Sequence, residues 1–241
     1  MAKNYQPPIS IVIPVANEAV TLPDCLRQVE QTTSEIIVVD GGSEDATVEI
    51  AESFGCRVLA SPRPQRARQM NLGASKARGR ILLFLHADTW LPPQAADRVL
   101  EAIDRRGACG GGFARRYRSD ALTLALTCRL AGVRNRFFGW HLGDQALFVR
   151  RDVFEKLGGY RDLPIFEDLD FSRRLRALGK TVTLTPPVYS SPRRFARKGP
   201  LRTTWEDLLL TGKYLAGVDP NELCQPPRDR LQAVQTYERI S

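Results

Sequence analysis

Arg-Ile-Leu-Leu-Phe-Leu-His-Ala-Asp-Thr, residues 80–89, is the segment from which the fold of this chain can be inferred. The apolar run from Ile81 to Leu85 is typical of a strand buried on both faces of a helix-covered parallel sheet. It ends on His86 and Asp88, and open α/β sheets bind ligands beyond the carboxyl ends of their strands. The pattern predicts a central strand with a binding site at its end. The alternative is that Asp88 only caps the next helix, since Asp is a common N-cap.

Strands and helices alternate through the first ninety residues. The segments predicted as strands are 9–15, 35–40, 57–60 and 81–85, and those predicted as helices are 21–32, 45–54 and 66–77. Such alternation indicates βαβ units and a mainly parallel sheet. Ser43 is the expected N-cap of the second helix.

The second half of the chain is less regular. Its predicted helices are 93–105, 120–131 on the core, 152–158, 166–178 and 201–215, and its predicted strands are 113–117, 145–149 and 181–184. We predict one domain over residues 1–220, with a first half at about 9–105, a second half at about 106–190 and a C-terminal lid and helix at about 191–220. A polar tail is expected at 221–241.

Composition limits the class of protein. The chain has 241 residues and a net charge of +8, with 43% hydrophobic and 26% charged residues, as in ordinary globular proteins. The positive charge favours an acidic partner, which could be nucleic acid, a membrane surface or a phosphorylated small molecule. The five cysteines form no C-x-x-C pair, and the apolar runs are shorter than the roughly 18 residues of a membrane span. We therefore expect a cytoplasmic protein.

Acidic side chains stand where predicted strands end or helices begin. Asp40 follows the strand at 35–40, where a carboxylate can bind a base or a ribose, and Asp88 is placed to hold a hard divalent ion between protein and diphosphate oxygens. Glu167, Asp168 and Asp170 are crowded, and like charge raises the pKa of one such carboxyl toward the range of a general base. The alternative for this cluster is a helix start that complements the helix dipole.

Phosphate-binding glycine motifs are missing from the sequence. It contains neither G-x-G-x-x-G nor G-x-x-x-x-G-K-[ST], which argues against dinucleotide oxidoreductases and P-loop enzymes. Phosphates would instead be bound by side chains and a metal, and Arg66 and Arg68 at the start of a helix suit that task.

Four segments resemble glycosyltransferases of family 2 with a GT-A fold. They are Ile-Val-Ile-Pro-Val-Ala-Asn-Glu (11–18), Val-Val-Asp-Gly-Gly-Ser-Glu-Asp (38–45), Leu-His-Ala-Asp (85–88) and Phe-Glu-Asp-Leu-Asp (166–170). Ala-Arg-Gln-Met-Asn-Leu-Gly-Ala (67–74) and Phe-Leu-His-Ala-Asp-Thr (84–89) are most similar to the subgroup associated with arsenosugar biosynthesis. The resemblance implies a Rossmann-like three-layer α/β sandwich with a mostly parallel central sheet, plus a C-terminal helical segment.

The resemblance also implies a reaction. The family's metal-assisted, inverting enzymes move a sugar from a nucleotide-diphosphate sugar, here a UDP- or GDP-sugar, to a hydroxyl acceptor that is a small molecule or lipid-linked. Asp168 matches the general base, with Glu167 beside it. Asp88 matches the second Asp of the D-x-D motif and would hold Mg²⁺ or Mn²⁺, while His86 replaces the first Asp. The donor would contact Pro14, Val15, Ala16, Asn17, Glu18, Asp40, Gly41, Arg68, Gln69, Asn71, His86, Ala87 and Asp88.

Trp140 and Gln145 are candidates for acceptor contact, and the alternative for Trp140 is packing. Arg193 and Arg194 begin a basic run that could close on diphosphate, bind an acidic acceptor or anionic lipid, or be a solvated loop. The run continues with Arg197, Lys198 and Arg202. The C-terminal helix is expected to pack on its own domain or on a second subunit, and peripheral contact with the inner membrane face is the alternative.

Three rival functions remain open at this point. A sugar-1-phosphate nucleotidyltransferase would need a glycine-rich opening loop, and Pro14-Val15-Ala16-Asn17 stands in its place. A nucleic-acid binder is disfavoured because the charge is spread out and no binding module is present, so no nucleic acid partner is expected. A catalytically inactive scaffold that binds nucleotide or an acidic partner is favoured by His86 and opposed by Asp88 and Asp168.

Overall fold

The computed structural model describes residues 7–30, 32, 34–196 and 198–224. Arg197 and most of the predicted tail, residues 225–241, lie outside this part. The strands are β1 (Ile9–Val15), β2 (Glu35–Asp40), β3 (Arg57–Ala60), β4 (Ile81–Phe84), β5 (Thr89–Trp90), β6 (Gly110–Tyr117), β7 (Phe148–Arg150) and β8 (Thr181–Ser190). They form one sheet in the order β3-β2-β1-β4-β7-β6-β8-β5.

Helices connect these strands. The α-helices are α1 (Leu22–Val29), α2 (Thr47–Ser53), α3 (Arg66–Lys76), α4 (Ala95–Asp104), α5 (Leu122–Phe138), α6 (Arg151–Lys156), α7 (Glu167–Leu178), α8 (Arg193–Ala196), α9 (Pro200–Leu215) and α10 (Pro220–Leu223). A short 3-10 helix, Gly143–Gln145, precedes β7. No helix within the described residues is long and apolar enough to cross a bilayer.

The sheet is mostly parallel, as predicted. Strands β1, β2, β3 and β4 are parallel to one another, and β6 is parallel to β8. Strand β7 is antiparallel to β4 and β6, and β5 is antiparallel to β8. Because β2 and β4 lie on opposite sides of β1, the strand order reverses beside β1. The carboxyl ends of these three strands therefore meet at one edge of the sheet.

Helices cover both faces of the sheet. One apolar cluster joins α1, α2 and α4 to β1 and β4, and the other joins α3, α6 and α7 to the opposite face. Close packing of α3 depends on Gly73, where a Cβ atom would lie 2.3 Å from Cγ1 of Val12. The three-layer α/β sandwich predicted from the sequence is therefore the observed architecture.

Two predicted helices differ from those observed. The predicted helix 120–131 is α5, which extends to Phe138. It packs on the core through Leu124 and Ala131, whereas Leu122, Leu126 and Leu130 are exposed. The predicted helix 45–54 begins only at Thr47, and Ser43 does not cap it, because its hydroxyl donates to Asp40 instead.

Two predicted strands also differ. The strand predicted at 145–149 begins only at Phe148, after the 3-10 turn. The strand predicted at 181–184 continues to Ser190 through Pro186 and Pro187. Its pairing with β6 shifts register at this point, between Phe113 and Arg115, and such an irregularity is where a sheet tolerates proline.

Candidate active site

The loops after β1 and β2 form one wall of the candidate site. Asp40 is buried, and its Oδ2 accepts from the backbone N–H groups of Gly42 at 2.9 Å and Ser43 at 3.0 Å. Asn17, held at a φ of 55°, accepts from the N–H of Glu44 at 2.8 Å and donates its own N–H to Oγ of Ser43 at 2.9 Å. The two loops are thus joined into a single rigid unit.

Amide side chains of α3 support this wall. Nε2 of Gln69 donates to the carbonyl oxygens of Val15 and Val39, each at 2.8 Å, which links the ends of β1 and β2. The Asn71 amide exchanges two hydrogen bonds with the backbone of Tyr160, at 2.8 and 2.9 Å. Both side chains therefore hold the framework, and their predicted contacts with a donor stay predictions.

Arg66 and Arg68 begin α3 and differ in their surroundings. The exposed Arg68 guanidinium pairs with Asp162. Burial lowers the pKa of His86, and the charge of Arg66 lowers it further. Burial raises the pKa values of Asp88, Glu167 and Asp168, and the charge of Arg66 opposes that rise. Arg66 is therefore the cation of α3 that faces the acidic site, and the role predicted for Arg68 stays a prediction.

Asp88 and Glu18 share one cation, Arg193. The guanidinium of Arg193 donates to Oδ2 of Asp88 at 3.1 Å and to the two carboxylate oxygens of Glu18 at 2.5 and 2.8 Å. The pairing of β5 with β8 brings these groups together, because Thr89 faces Ser190 and the N–H of Ser191 donates to the Asp88 carbonyl at 3.0 Å. Burial raises the pKa of Asp88, and the charge of Arg193 opposes that rise.

Asp168 lies at the start of α7, against the 3-10 turn. Its Oδ2 accepts from the N–H of Gly143 at 2.7 Å and its Oδ1 from the N–H of Leu169 at 2.6 Å. A Cβ atom on Gly143 would lie 2.6 Å from Nε2 of His86 and 3.4 Å from Oδ2 of Asp168, so only glycine allows this approach. Burial raises the pKa of Asp168, although the two N–H donors lower it.

Glu167 and Asp170, which lie near Asp168 in the sequence, have different surroundings. Burial and the Asp168 charge raise the pKa of Glu167 to about 7. Asp170 instead pairs with Arg161 at 3.1 Å and with Arg174 at 2.8 Å. Asp170 therefore forms structural ion pairs near the start of α7, which agrees with the structural alternative for this one member of the cluster.

Substitution of Glu167 tests its raised pKa. A carboxyl whose pKa is higher in the folded than in the unfolded chain stabilises the fold below the unfolded pKa, and this contribution is lost as pH rises through the folded pKa. We expect the free energy of unfolding of Glu167→Gln to rise relative to the native chain, by up to about 3 kcal/mol, between pH about 4.5 and about 7. Urea unfolding across this range measures the difference. An exposed control, Glu155→Gln, should show no such trend, and parallel pH profiles for Glu167→Gln and the native chain would contradict the prediction.

A buried ion pair next to the site was missed in the sequence. Arg115 pairs with Asp144 of the 3-10 turn, and only 6% of the Arg115 side chain is exposed. Burial opposes ionisation of Asp144, but the Arg115 charge keeps its pKa below the usual value. The negative charge of Asp144 in turn raises the pKa values of Asp88 and Asp168. Asp144 is the one acidic residue of the segment 141–149, and this was the available signal.

The residues predicted for the acceptor lie in different settings. Trp140 is half-buried and stacks on Phe138, with ring centroids 4.8 Å apart. Gln145 is fully buried, and its Nε2 donates to the Phe113 carbonyl at 2.8 Å. Arg194 pairs with Asp207 of α9 and not with the acidic site. Acceptor contacts of these residues stay predictions.

The protein offers few ligands for a metal at this position. Within the described part of the chain, no group of three or more His, Cys, Asp or Glu side chains could hold an ion. The Asp88 carboxylate nevertheless already binds a cation, the Arg193 guanidinium. The arrangement fits an ion bound by Asp88 whose other ligands come from diphosphate and water, as Mg²⁺ usually binds.

The family can be read from the sequence of this domain. The strand order reverses beside β1 and acidic side chains stand at the strand ends, which is the edge where open α/β sheets bind their ligands. The sequence profile of glycosyl transferase family 2 matches residues 10–158. The chain belongs to this family.

Two curated relatives are similar to the chain at about the same level. Glycosyltransferase AglE of Haloferax volcanii is 30% identical over 206 residues, which cover 76% of this chain and 66% of AglE. A PGL/p-HBAD biosynthesis glycosyltransferase of Mycobacterium tuberculosis is 31% identical over 182 residues, which cover 70% of this chain and 69% of that protein. The chain thus spans about two thirds of the length of these relatives.

Two solved structures share the fold. The mannosyltransferase PcManGT from Pyrobaculum calidifontis, in complex with GDP-Man and Mn²⁺, has a TM-score of 0.67 at 18% identity and covers 88% of this chain and 65% of its own. S. aureus TarS, residues 1–349 in complex with UDP-GlcNAc, has a TM-score of 0.62 at 16% identity, and the match covers 76% of this chain and 58% of the TarS chain. These likenesses confirm the GT-A fold.

Proposed function

We propose that this protein transfers a sugar from a nucleotide-diphosphate sugar to a hydroxyl acceptor with inversion at the anomeric carbon. The observation that carries the proposal is the position of Asp168, a half-buried carboxyl with a raised pKa, fixed by two backbone donors at the sheet edge where α/β folds bind ligands. Asp168 takes the proton of the acceptor hydroxyl as that oxygen attacks the anomeric carbon. The bond from this carbon to diphosphate breaks, and the nucleoside diphosphate leaves.

We assign the donor to the wall made by the loops after β1 and β2. Support comes from the complexes of structural neighbours with UDP-GlcNAc and with GDP-Man. Asp40 and Asn17 would face the base and ribose, and Arg66 would face the phosphates. The predicted division into a nucleotide-binding half at about 9–105 and an acceptor half at about 106–190 is part of this proposal.

A divalent ion, Mg²⁺ or Mn²⁺, would be held by Asp88. Bound there, it would neutralise charge on the departing diphosphate. The presence of Mn²⁺ in the PcManGT complex supports this assignment. Through this ion, Asp88 would orient the diphosphate. Arg193, once released from Asp88, would donate from its planar guanidinium to the diphosphate oxygens.

The acceptor and the subgroup remain part of the proposal. The segments 67–74 and 84–89 support a place in the subgroup associated with arsenosugar biosynthesis, and the hydroxyl acceptor would be a small molecule or lipid-linked.

Calorimetric titration of UDP and of GDP, each with and without Mn²⁺, tests the donor assignment. Binding of one nucleotide that requires the ion is the expected result. Binding of neither nucleotide, with or without ion, would reject the proposed donor class. Transfer itself is then tested with the nucleotide-sugar donor and candidate acceptors, by measuring the nucleoside diphosphate that is released.

Arg193 competes with a metal for Asp88, and its removal should expose this competition. We expect Arg193→Ala to bind Mn²⁺ alone about two- to fivefold more tightly than the native chain, since a half-exposed ion pair contributes about 0.5–1 kcal/mol. Calorimetry with Mn²⁺ and no nucleotide measures the change. Arg194→Ala is the matched control because its partner is Asp207. Unchanged or weaker Mn²⁺ binding by Arg193→Ala would contradict the prediction.

A further inference from the structure

Two neighbouring helices, α5 and α9, carry most of the exposed large apolar side chains of the described residues. Eleven of the fourteen such side chains lie on them, among them Leu122 with 86% exposed, Phe137 with 72% and Trp205 with 63%. We call this the two-helix surface. Its members are Leu122, Leu126, Leu130, Val133, Phe137, Phe138, Leu201, Trp205, Leu208, Leu209 and Leu215.

The spacing of these residues gives each of the two helices an exposed apolar face. Leu122, Leu126, Leu130, Val133 and Phe137 follow one another at intervals of three or four residues, which places them on one face of α5. The same intervals separate residues 201, 205 and 208 of α9. The helices touch, because the hydroxyl groups of Thr127 and Thr204 are 3.1 Å apart. Apolar patches of this extent mark an interaction site.

The charge of α5 has one sign. The helix contains Arg129, Arg134 and Arg136 and no Asp or Glu, and Arg129 and Arg136 are exposed. A cavity of about 400 Å³ opens at its first turns, between Arg116 and Arg129, with Asp120 as the acid in its lining. An anionic partner is therefore favoured along this edge of the surface.

The acids of α9 do not cancel this charge. Glu206 and Asp207 of α9 already form ion pairs with Lys198, Arg202 and Arg194. The exposed Lys213 adds one more positive charge near the end of α9. Two copies of the chain joined through this surface would bring positive charges of α5 together, so a second copy is the poorer occupant.

We propose that the two-helix surface binds the plane of a bilayer that contains anionic lipid. Leucine, phenylalanine and tryptophan side chains would enter the boundary between headgroups and acyl chains, and Arg129, Arg136 and Lys213 would contact lipid phosphates. Such binding would place both helices along the membrane surface. This agrees with the finding that no helix of the described residues is long and apolar enough to cross a bilayer. Binding to the bilayer does not depend on the proposed catalytic roles.

The surface is connected to the acidic site. Phe166, the residue before Glu167, stacks on Tyr214 of α9 with ring centroids 4.9 Å apart. At the end of α5, Phe138 stacks on Trp140. A chain docked through α5 and α9 would therefore hold its acceptor side near the membrane, which suits a lipid-linked hydroxyl acceptor. This last step, unlike the docking, rests on the proposed function.

Vesicle co-sedimentation tests the docking. The full chain is mixed with vesicles of phosphatidylcholine alone and of phosphatidylcholine with phosphatidylglycerol. We expect binding to the anionic vesicles, weakened by salt, and a loss of about tenfold or more for the double variant Leu130→Glu, Trp205→Glu. Leu178→Glu is the matched control, because Leu178 is an exposed leucine of α7 outside the surface. Circular dichroism and thermal unfolding confirm that the variants are folded.

Three results would overturn the inference. The native chain could fail to bind either kind of vesicle, or the double variant could bind as well as the native chain. Light scattering could also show a dimer of the native chain that the double variant dissociates, which would identify a second copy as the occupant. Titration of UDP and GDP is run in parallel, so failure of the donor assignment is seen separately from failure of the docking.

Discussion

We expect Asp168→Asn to lower the rate of sugar transfer by about 10²- to 10⁴-fold, the usual contribution of a general base. The substitution removes the proton acceptor and keeps the size of the side chain. Asp168 lies against Gly143 and Leu169 and accepts from their N–H groups, so its oxygen lone pairs are directed by the backbone. Single-turnover measurement of product formation, with donor bound at saturation, reports the chemical step.

Donor binding separates this role from a structural one. The Asp168→Asn chain should bind nucleotide diphosphate with near-native affinity, since Asp168 is assigned to the acceptor. Asp152→Asn, a change to an exposed carboxylate of α6, should leave both rate and binding unchanged. Near-native turnover of Asp168→Asn would remove Asp168 from the mechanism.

We expect Asp88→Ala to weaken the binding of nucleoside diphosphate in the presence of Mn²⁺ by about tenfold or more. Loss of a residue that only supports a metal ligand costs roughly 10- to 100-fold in metal affinity, and Asp88 is assigned as the ligand itself. Calorimetry with and without Mn²⁺ measures the effect, which should be small when the ion is omitted.

The control for Asp88→Ala is Asp104→Ala, which removes an ion-paired carboxylate of α4, paired with Arg80. A loss of equal size with and without Mn²⁺ would mean that Asp88 acts by contacts that do not involve the ion. Comparison with Arg193→Ala then shows whether loss of the ion pair alone explains the change.

The first half of the fold was predictable because its strands are buried on both faces. The apolar run 81–85 and the β-branched segment 9–13, which is interrupted only by Ser10, have few alternatives to a covered parallel strand. The acidic residues that end these strands were therefore placed at one edge of the sheet from the sequence alone. Asp40 and Asp88 lie at that edge as predicted, and their roles stay predictions.

Helix α5 could not be placed from its pattern. Periodic apolar residues show that a helix has an apolar face, but not what covers that face. Leu126 and Leu130 were expected on the core, but they are exposed. The face of α5 that is buried instead carries Leu124, Ala131 and Asn135.

Contacts between distant segments were also beyond the sequence. Arg193 and Asp88 are 105 residues apart and meet only because β5 pairs with β8. Asp144 and Arg115 form a buried pair through the 3-10 turn before β7, and the sequence did not predict this turn.

The short link between Ser190 and Arg193 makes this arginine a tethered counter-ion. Because Ser190 is fixed in the sheet opposite Thr89, the guanidinium stays near the Asp88 carboxylate at an effective concentration on the order of millimolar. If Asp88 holds the ion as proposed, a metal ion that arrives alone would have to displace this internal competitor. An ion that arrives with diphosphate gives the displaced arginine a new anionic partner, so metal and donor should load together, and free ion should occupy the protein only at high concentration.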